Sequence, residues 1–215
     1  MSPSHVGDVS ENFSRHLRHR YRSSYTTTSW GIYLISTASN TKVSNNMIYH
    51  TVAGTNDVRG IQIDSAGNEV YYNSIYMYCE DNVNNSASNT NYGILFNNAT
   101  GLTKIKNNVI HGKQNGLDGS DWAYVYGIYR STGTAGVHFE SDYNDIYREL
   151  VDNGDVNTGY YTANRQTLAN WQAATSQDAN SVNGAPLFVT TSDLHIQAGS
   201  AAENTGCGTT NVASG

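Results

Sequence analysis

The chain has 215 residues, a formal net charge of −6 and only 14% charged residues, a length that suits one well-buried domain. Glycine (20) and tyrosine (16) are abundant and proline (2) is nearly absent, which fits a turn-rich β protein and excludes a disordered or coiled-coil chain. Arg15, Arg18, Arg20 and Arg22 all precede residue 25, so the body is more acidic than the total and is not built to grip a nucleic acid.

Residues 1–28 differ in composition from the rest. Val9, Phe13, Leu17 and Tyr21 recur every four residues and predict one helical stripe, with Asp8 or Ser10 as its cap. Such a segment is read as an amphipathic lid, with a disordered tail or a basic, acid-binding helix as alternatives. No apolar stretch follows Met1 and no run of about 18 apolar residues occurs, so neither a signal peptide nor membrane insertion is expected. Cys79 and Cys207 are too few for a disulfide framework; two free thiols or one bridge are both compatible with them.

Residues 29–150 carry an internal repeat. Gly31-Ile32-Tyr33-Leu34, Gly60-Ile61-Gln62-Ile63, Gly93-Ile94-Leu95-Phe96 and Gly127-Ile128-Tyr129-Arg130 form one half, with glycines 29, 33 and 34 residues apart. Asn46-Met47-Ile48, Asn73-Ser74-Ile75, Asn108-Val109-Ile110 and Asn144-Asp145-Ile146 form the other, and the two halves alternate. Val43, Val70 and Ile105 stand three residues before the Asn, where the fourth copy has Ser141. A period of roughly 20–50 residues signals stacked repeats. Alternation within each half is strand periodicity, and one repeat cannot bury its inward face alone. The expected fold is therefore all-β: a right-handed, single-stranded parallel β-helix of about five coils with terminal caps. Ile32, Leu34, Ile61, Ile63, Ile94, Phe96 and Ile128 should line the core with Val43, Val70, Ile105, Ile48, Ile75 and Ile110. Arg130 falls in the column of Leu34, Ile63 and Phe96, so it should emerge to solvent or pair with Glu140 or Asp142.

Residues 151–215 read as the final coil and a C-terminal cap. Asp152–Gly159 reads as a loop, Leu168–Ala174 as a short helix after Thr167, and Pro186–Val189 and Leu194–Ile196 as two strands.

The repeat halves resemble the parallel β-helix repeat of the pectate-lyase-like superfamily, as found in secreted or surface-anchored bacterial proteins. The resemblance covers roughly residues 29–206. It implies that Asn46, Asn73, Asn108 and Asn144 take a left-handed turn conformation and stack in a ladder. It also implies a secreted or cell-surface location. The fold hosts many activities, so the resemblance speaks to architecture more than to function.

Three constellations bear on function. The first is aromatic: Tyr49, Tyr76, His111 and Tyr147 should point outward one per coil, with Tyr33 and Tyr129 beside them. Trp122, Tyr124, Asp118 and Asp121 crowd the connection that runs through His111–Tyr126. Sugar rings pack on aromatic platforms and nearby Asp and Asn bond their hydroxyls, so Trp122, Tyr124, Tyr129, Asp118 and Asp121 are the expected polysaccharide contacts. Stacked tyrosines that only brace neighbouring strands are the structural alternative. The second is lyase-like. Polysaccharide lyases of this fold pair a basic proton abstractor with carboxylates, and Arg130, Asp64, Glu140 and Asp142 are the candidates, with His50, His111 and Lys113 in adjacent loops. No recognisable catalytic motif accompanies them. The third is calcium, for which Glu80–Asn85 and Asp152–Gly159 offer oxygen ligands without a recognised calcium-loop order; no metal or other cofactor is expected. The sequence thus points to a monomeric module that recognises polysaccharide. A polysaccharide lyase or glycosidase acting on uronate-containing chains, and a non-catalytic stalk or adhesin segment, are the alternatives.

Overall fold

The computed structural model describes residues 8–9, 28–53, 57–80, 90–97, 101–115, 124–131, 135–151, 155–203 and 206. The described chain is mostly β. Its strands are β1 (Asp8–Val9), β2 (Ser29–Leu34), β3 (Lys42–Ser44), β4 (Met47–Ala53), β5 (Val58–Ile63), β6 (Glu69–Tyr71), β7 (Ser74–Glu80) and β8 (Thr90–Phe96). They continue with β9 (Thr103–Lys106), β10 (Val109–Asn115), β11 (Tyr124–Arg130), β12 (Phe139–Asp142), β13 (Asp145–Val151), β14 (Asp155–Tyr161) and β15 (Ala163–Arg165), followed by helix α1 (Leu168–Thr175).

The strands form three sheets, ordered β1-β3-β6-β9-β12, β4-β7-β10-β13 and β2-β5-β8-β11-β14-β15. All pairings are parallel except β14 with β15. From β3 onward the chain visits the first, second and third sheets in rotation, so each circuit lies on the one before it with the repeats in register. The Gly-Ile strands pair Ile32, Ile61, Ile94 and Ile128. The Asn half pairs Ile48, Ile75, Ile110 and Ile146. These columns, with Val43, Val70 and Ile105, converge on one core. Ile32 and Ile48, in the first circuit, are only partly buried, while the other expected core residues are buried.

The recurrence of Gly and Ile at fixed places in each repeat has a steric cause. A Cβ on Gly93 would lie 2.6 Å from the carbonyl oxygen of Gly127 and 2.6 Å from Ile110 Cγ2. Gly31 meets Gly60 and Ile48, Gly60 meets Gly93 and Ile75, and Gly127 meets Thr158 and Ile146 in the same way. The glycines are thus the corner at which the second and third sheets close on the core. Their missing side chain is the space that the β-branched Ile fills.

The Asn ladder is present. Asn73 Oδ1 accepts from the backbone and side-chain amides of Asn46, at 3.1 and 2.9 Å. Asn108 Oδ1 accepts likewise from Asn73, and Asn144 Oδ1 from Asn108. Each buried amide is satisfied by the circuits on either side. The left-handed conformation, however, belongs to the preceding residue: Asn45 (φ 59°), Tyr72 (56°), Asn107 (58°) and Tyr143 (58°). The ladder Asn is selected for its two-sided amide, not for tolerance of positive φ.

Several elements differ from the sequence reading. Val9 is not on a helix: Asp8 and Val9 pair in parallel with Lys42 and Val43, and the rest of the expected stripe lies outside the described residues. Residues 155–159 are strand rather than loop, because β14 continues the third sheet with Thr158 and Gly159 in place of Gly-Ile. Gly159 is needed there since a Cβ would strike the Trp171 ring at 2.5 Å. Helix α1 forms as expected, with Thr167 Oγ1 accepting from Asn170 N and with Leu168 and Trp171 buried. Pro186–Val189 and Leu194–Ile196 are not strands but a loop pair joined at one antiparallel bridge, Phe188 to Ile196.

Candidate functional site

The outer face of the third sheet carries two adjoining columns. One holds Trp30, Arg59, Tyr92 and Tyr126; the other holds Tyr33, Gln62, Leu95, Tyr129 and Tyr160. Simple alternation puts the residue before each Gly on the inward side. The corner at the glycine cancels that alternation, so residues on both sides of the Gly-Ile pair face outward together. Trp30 and Tyr33 stack with centroids 5.5 Å apart and planes 10° apart. They are 43% and 42% exposed. The Arg59 guanidinium lies over both the Trp30 ring (5.7 Å) and the Tyr92 ring (5.8 Å).

A row of polar groups runs beside these rings. The Trp30 indole N–H and Arg59 Nη1 both donate to Gln62 Oε1, at 2.5 and 2.6 Å. Gln62 Nε2 donates to both carboxylate oxygens of Asp64. Tyr33 OH donates to Asp64 Oδ2 at 2.6 Å and Asn97 Nδ2 to Oδ1 at 2.9 Å. Ser131 Oγ extends the row to Asn97. The hydrogen bond to Asp64 raises the Tyr33 hydroxyl above its ordinary pKa. Asp64 is therefore a hub that orients this row, with its lone pairs committed to neighbours.

Of the expected polysaccharide contacts, Asp118, Asp121 and Trp122 lie outside the described residues. Tyr124 opens β11 and stacks on Tyr126 (6.0 Å, 12°). Tyr129 stacks on Tyr160 (4.5 Å, 11°) and meets Tyr92 and Tyr126 edge-on, 5.0 Å from each. Their faces serve one another, which is the strand-bracing arrangement. The exposed rings are at the other end, on Trp30 and Tyr33. A readable signal existed: Trp30, Arg59, Tyr92 and Tyr126 each immediately precede a repeat glycine.

The lyase candidates are not brought together. Arg130 is 2% exposed. It neither emerges nor pairs with Glu140 or Asp142, contrary to expectation. Its guanidinium sits over Phe139 (4.8 Å), Phe96 (5.2 Å) and Tyr161 (5.9 Å), and burial lowers its pKa. A delocalised, weakly hydrated cation tolerates such a cage better than an ammonium would. Glu140 pairs with Lys106 at 3.5 Å on the first sheet. Asp142 accepts from the Asn180 side chain and from the backbone amides of Asn180 and Tyr143.

His111 and Lys113 are on strand β10 rather than in a loop. The second sheet aligns Tyr49, Tyr76, His111 and Tyr147 in one outward column, and Tyr78, Lys113 and Glu149 in the next. Glu149 joins the two columns: His111 Nε2 lies 3.0 Å from Oε2 and Lys113 Nζ 2.5 Å from Oε1. Burial would raise the Glu149 carboxyl, but Lys113 and then His111 outweigh it and hold it below its usual range. Burial lowers His111, against the pull of Glu149. The residues from Ala185 to Thr191 face these columns across a cavity of about 430 Å³.

Among the described residues no group of three or more His, Cys, Asp or Glu side chains is arranged to hold a metal. Most of the two loops offered for calcium, and the side chains of Cys79 and Cys207, lie outside the described residues. No helix among them is long and apolar enough to cross a membrane. No family model, curated protein or solved structure matches the chain.

Proposed function

We propose that the chain is a right-handed parallel β-helix that recognises polysaccharide, outside the cell or at its surface, through the outer face of its third sheet. The observation that carries this reading is the Trp30–Tyr33 pair. Two exposed rings, stacked with their planes nearly parallel, stand beside the fixed row Arg59–Gln62–Asp64–Asn97. Pyranose rings offer an apolar face to such rings and hydroxyls to such a row. Because the row is already hydrogen-bonded, its groups are held in place before a ligand arrives, which lowers the ordering cost of binding.

The test is a panel of soluble polysaccharides assayed both for retention by the protein and for new reducing ends or unsaturated uronate. Binding without product is expected. Each stacked ring contributes on the order of 1–2 kcal/mol, so replacing Trp30 and Tyr33 together by Ala should weaken binding at least roughly tenfold. Each side chain is partly exposed and donates one hydrogen bond to the row, so the double variant should lose about 1–3 kcal/mol of stability and stay folded. Full retention of binding by the double variant, or failure of the wild type to bind any member of the panel, overturns the reading. Release of products would favour the enzyme alternative.

A further inference from the structure

We infer that the cavity between strands β10 and β13 and the Ala185–Thr191 segment is a second, separate ligand site, built for one small, uncharged polyhydroxyl ring such as a neutral pyranoside. The site is distinct from the aromatic face of the third sheet, and this inference does not depend on that face binding anything.

Its volume of about 430 Å³ falls near the small end of ligand pockets, roughly 300–1,000 Å³. One wall is polar. Lys113 and Glu149 form an ion pair, with side chains 29% and 31% exposed, so both remain reachable from the cavity. Their charges cancel, which leaves no net charge to recruit an anion or a cation. Their hydrogen-bonding capacity does not cancel. The ammonium has three N–H groups and commits one to Glu149; the carboxylate has further lone pairs beyond those facing His111 and Lys113. An ionised carboxylate only accepts, so His111 Nε2 carries the proton in that pair, and the imidazole adds no charge while it is neutral. The wall therefore offers donors and acceptors side by side without net charge, and a vicinal diol has the same mixed character.

The opposite wall is mainly apolar: Ala185, Pro186, Leu187 and Phe188 line the cavity, together with Thr190 and Thr191. It is tied to the 195–197 segment by the Phe188–Ile196 bridge and by Val189 N and Gln197 N, which donate to His195 O and Leu187 O at 3.0 Å each, and the Phe188 ring lies 6.1 Å from the His111 ring of the sheet. A pyranose has this same division, C–H bonds on one face and hydroxyls at its rim. A charged sugar would have to separate the Lys113–Glu149 pair or bring an uncompensated charge into a partly buried space, and either is costly.

The experiment is ligand-observed NMR or calorimetric titration of the intact chain. The probes are the methyl pyranosides of glucose, galactose and mannose, glucuronate and galacturonate, and glucosamine and galactosamine. At least one neutral pyranoside should bind, and its matching uronate and amino sugar at least about tenfold more weakly. Glu149→Gln leaves Lys113 uncompensated and should reverse the order in favour of the uronate. Leu187→Trp, at an exposed position on the cavity wall, fills the space and should abolish binding of every probe while the fold is retained. Trp30→Ala should leave monosaccharide binding unchanged, which separates this site from the aromatic face. The inference is overturned if no neutral pyranoside binds, if charged and neutral sugars bind equally, or if Leu187→Trp binds like the wild type.

Discussion

Asp145 occupies a column whose other members are Met47, Ser74 and Val109. It is 1% exposed, and burial pushes its pKa up from an ordinary 3.8 to about 7, with only the Gly184 backbone amide pulling it back. The folded state thus holds a proton that the unfolded chain releases near pH 4. Where the folded state binds more protons, stability falls as pH rises. The loss begins near pH 4, runs to about pH 7 and is complete above it. Asp145→Asn cannot ionise, so its stability relative to wild type should be near zero at pH 4. It should rise through that window to a gain on the order of a few kcal/mol at pH 8. Urea denaturation of both proteins at pH 4, 6 and 8 measures this directly, and parallel pH profiles would show that the carboxylate is not strained by burial. The depressed Glu149 acts in the opposite sense, stabilising as pH rises through the carboxylate range, but it cancels in the comparison. At this scale the sequence was half legible. The Asn ladder could be read because a buried amide that bonds both neighbours tolerates no substitute, so it recurs at every copy. Asp145 and Arg130 could not, because each replaces an apolar or small residue in its column, and only three-dimensional neighbours show how that is tolerated.

The element that organises the stack is the corner between the Asn-x-Ile strand and the Gly-Ile strand. Ile110 Cγ2 and the Gly127 carbonyl occupy the space that a Cβ on Gly93 would enter. The carbonyl belongs to the ladder between circuits and cannot move without breaking it. Gly93→Ala should therefore cost about 3 kcal/mol or more, in the range of overpacking in a close-packed core. Gly136 is the useful contrast. Its φ is +74°, but the nearest atom to a Cβ at that position would be Gln177 Nε2 at 3.7 Å. Gly136→Ala meets only backbone strain, worth about 1 kcal/mol. Denaturation midpoints of the two variants decide the matter: equal losses would mean that the repeat glycines serve backbone conformation rather than close packing. The repeat halves were legible as strands because their period-2 alternation is uninterrupted after the glycine. What escaped was the face of the residue before it. Trp30 and Arg59 were hidden because the corner reverses the alternation at the point where a linear pattern expects it to continue.

Across the whole molecule the ladder needs an end, and the C-terminal segment supplies one. Asn144 is its last Asn. Its backbone amide donates to Ser181 Oγ at 2.8 Å, and its side chain to Asp178 Oδ1 at 3.0 Å. Asp178 also accepts from Ser181 Oγ and from the Trp171 indole N–H, at 2.6 and 2.7 Å. Trp171 is fully buried, 6.0 Å from the Phe139 ring and pressed on Gly159. One side chain thus closes the apolar core and fixes the polar end of the ladder. The ends were the least legible part of the sequence because a terminal repeat has a neighbour on one side only and diverges to cover the other. Thr158-Gly159 lost its Gly-Ile signature to make room for Trp171. At the other end, the spacing of Val9 to Asn12 repeats that of Val43 to Asn46, but it was masked by a four-residue apolar stripe that fitted a helix equally well. In a stack of near-identical circuits each one leans chiefly on its neighbours. Trp171→Ala should cost about 3–5 kcal/mol, and the damage should stay local. Hydrogen exchange should show protection lost in β12 to β15 and α1, with the amides of β5 to β8 still slow. If protection falls equally in all three sheets from end to end, the molecule unfolds as one cooperative unit and the cap holds the entire stack.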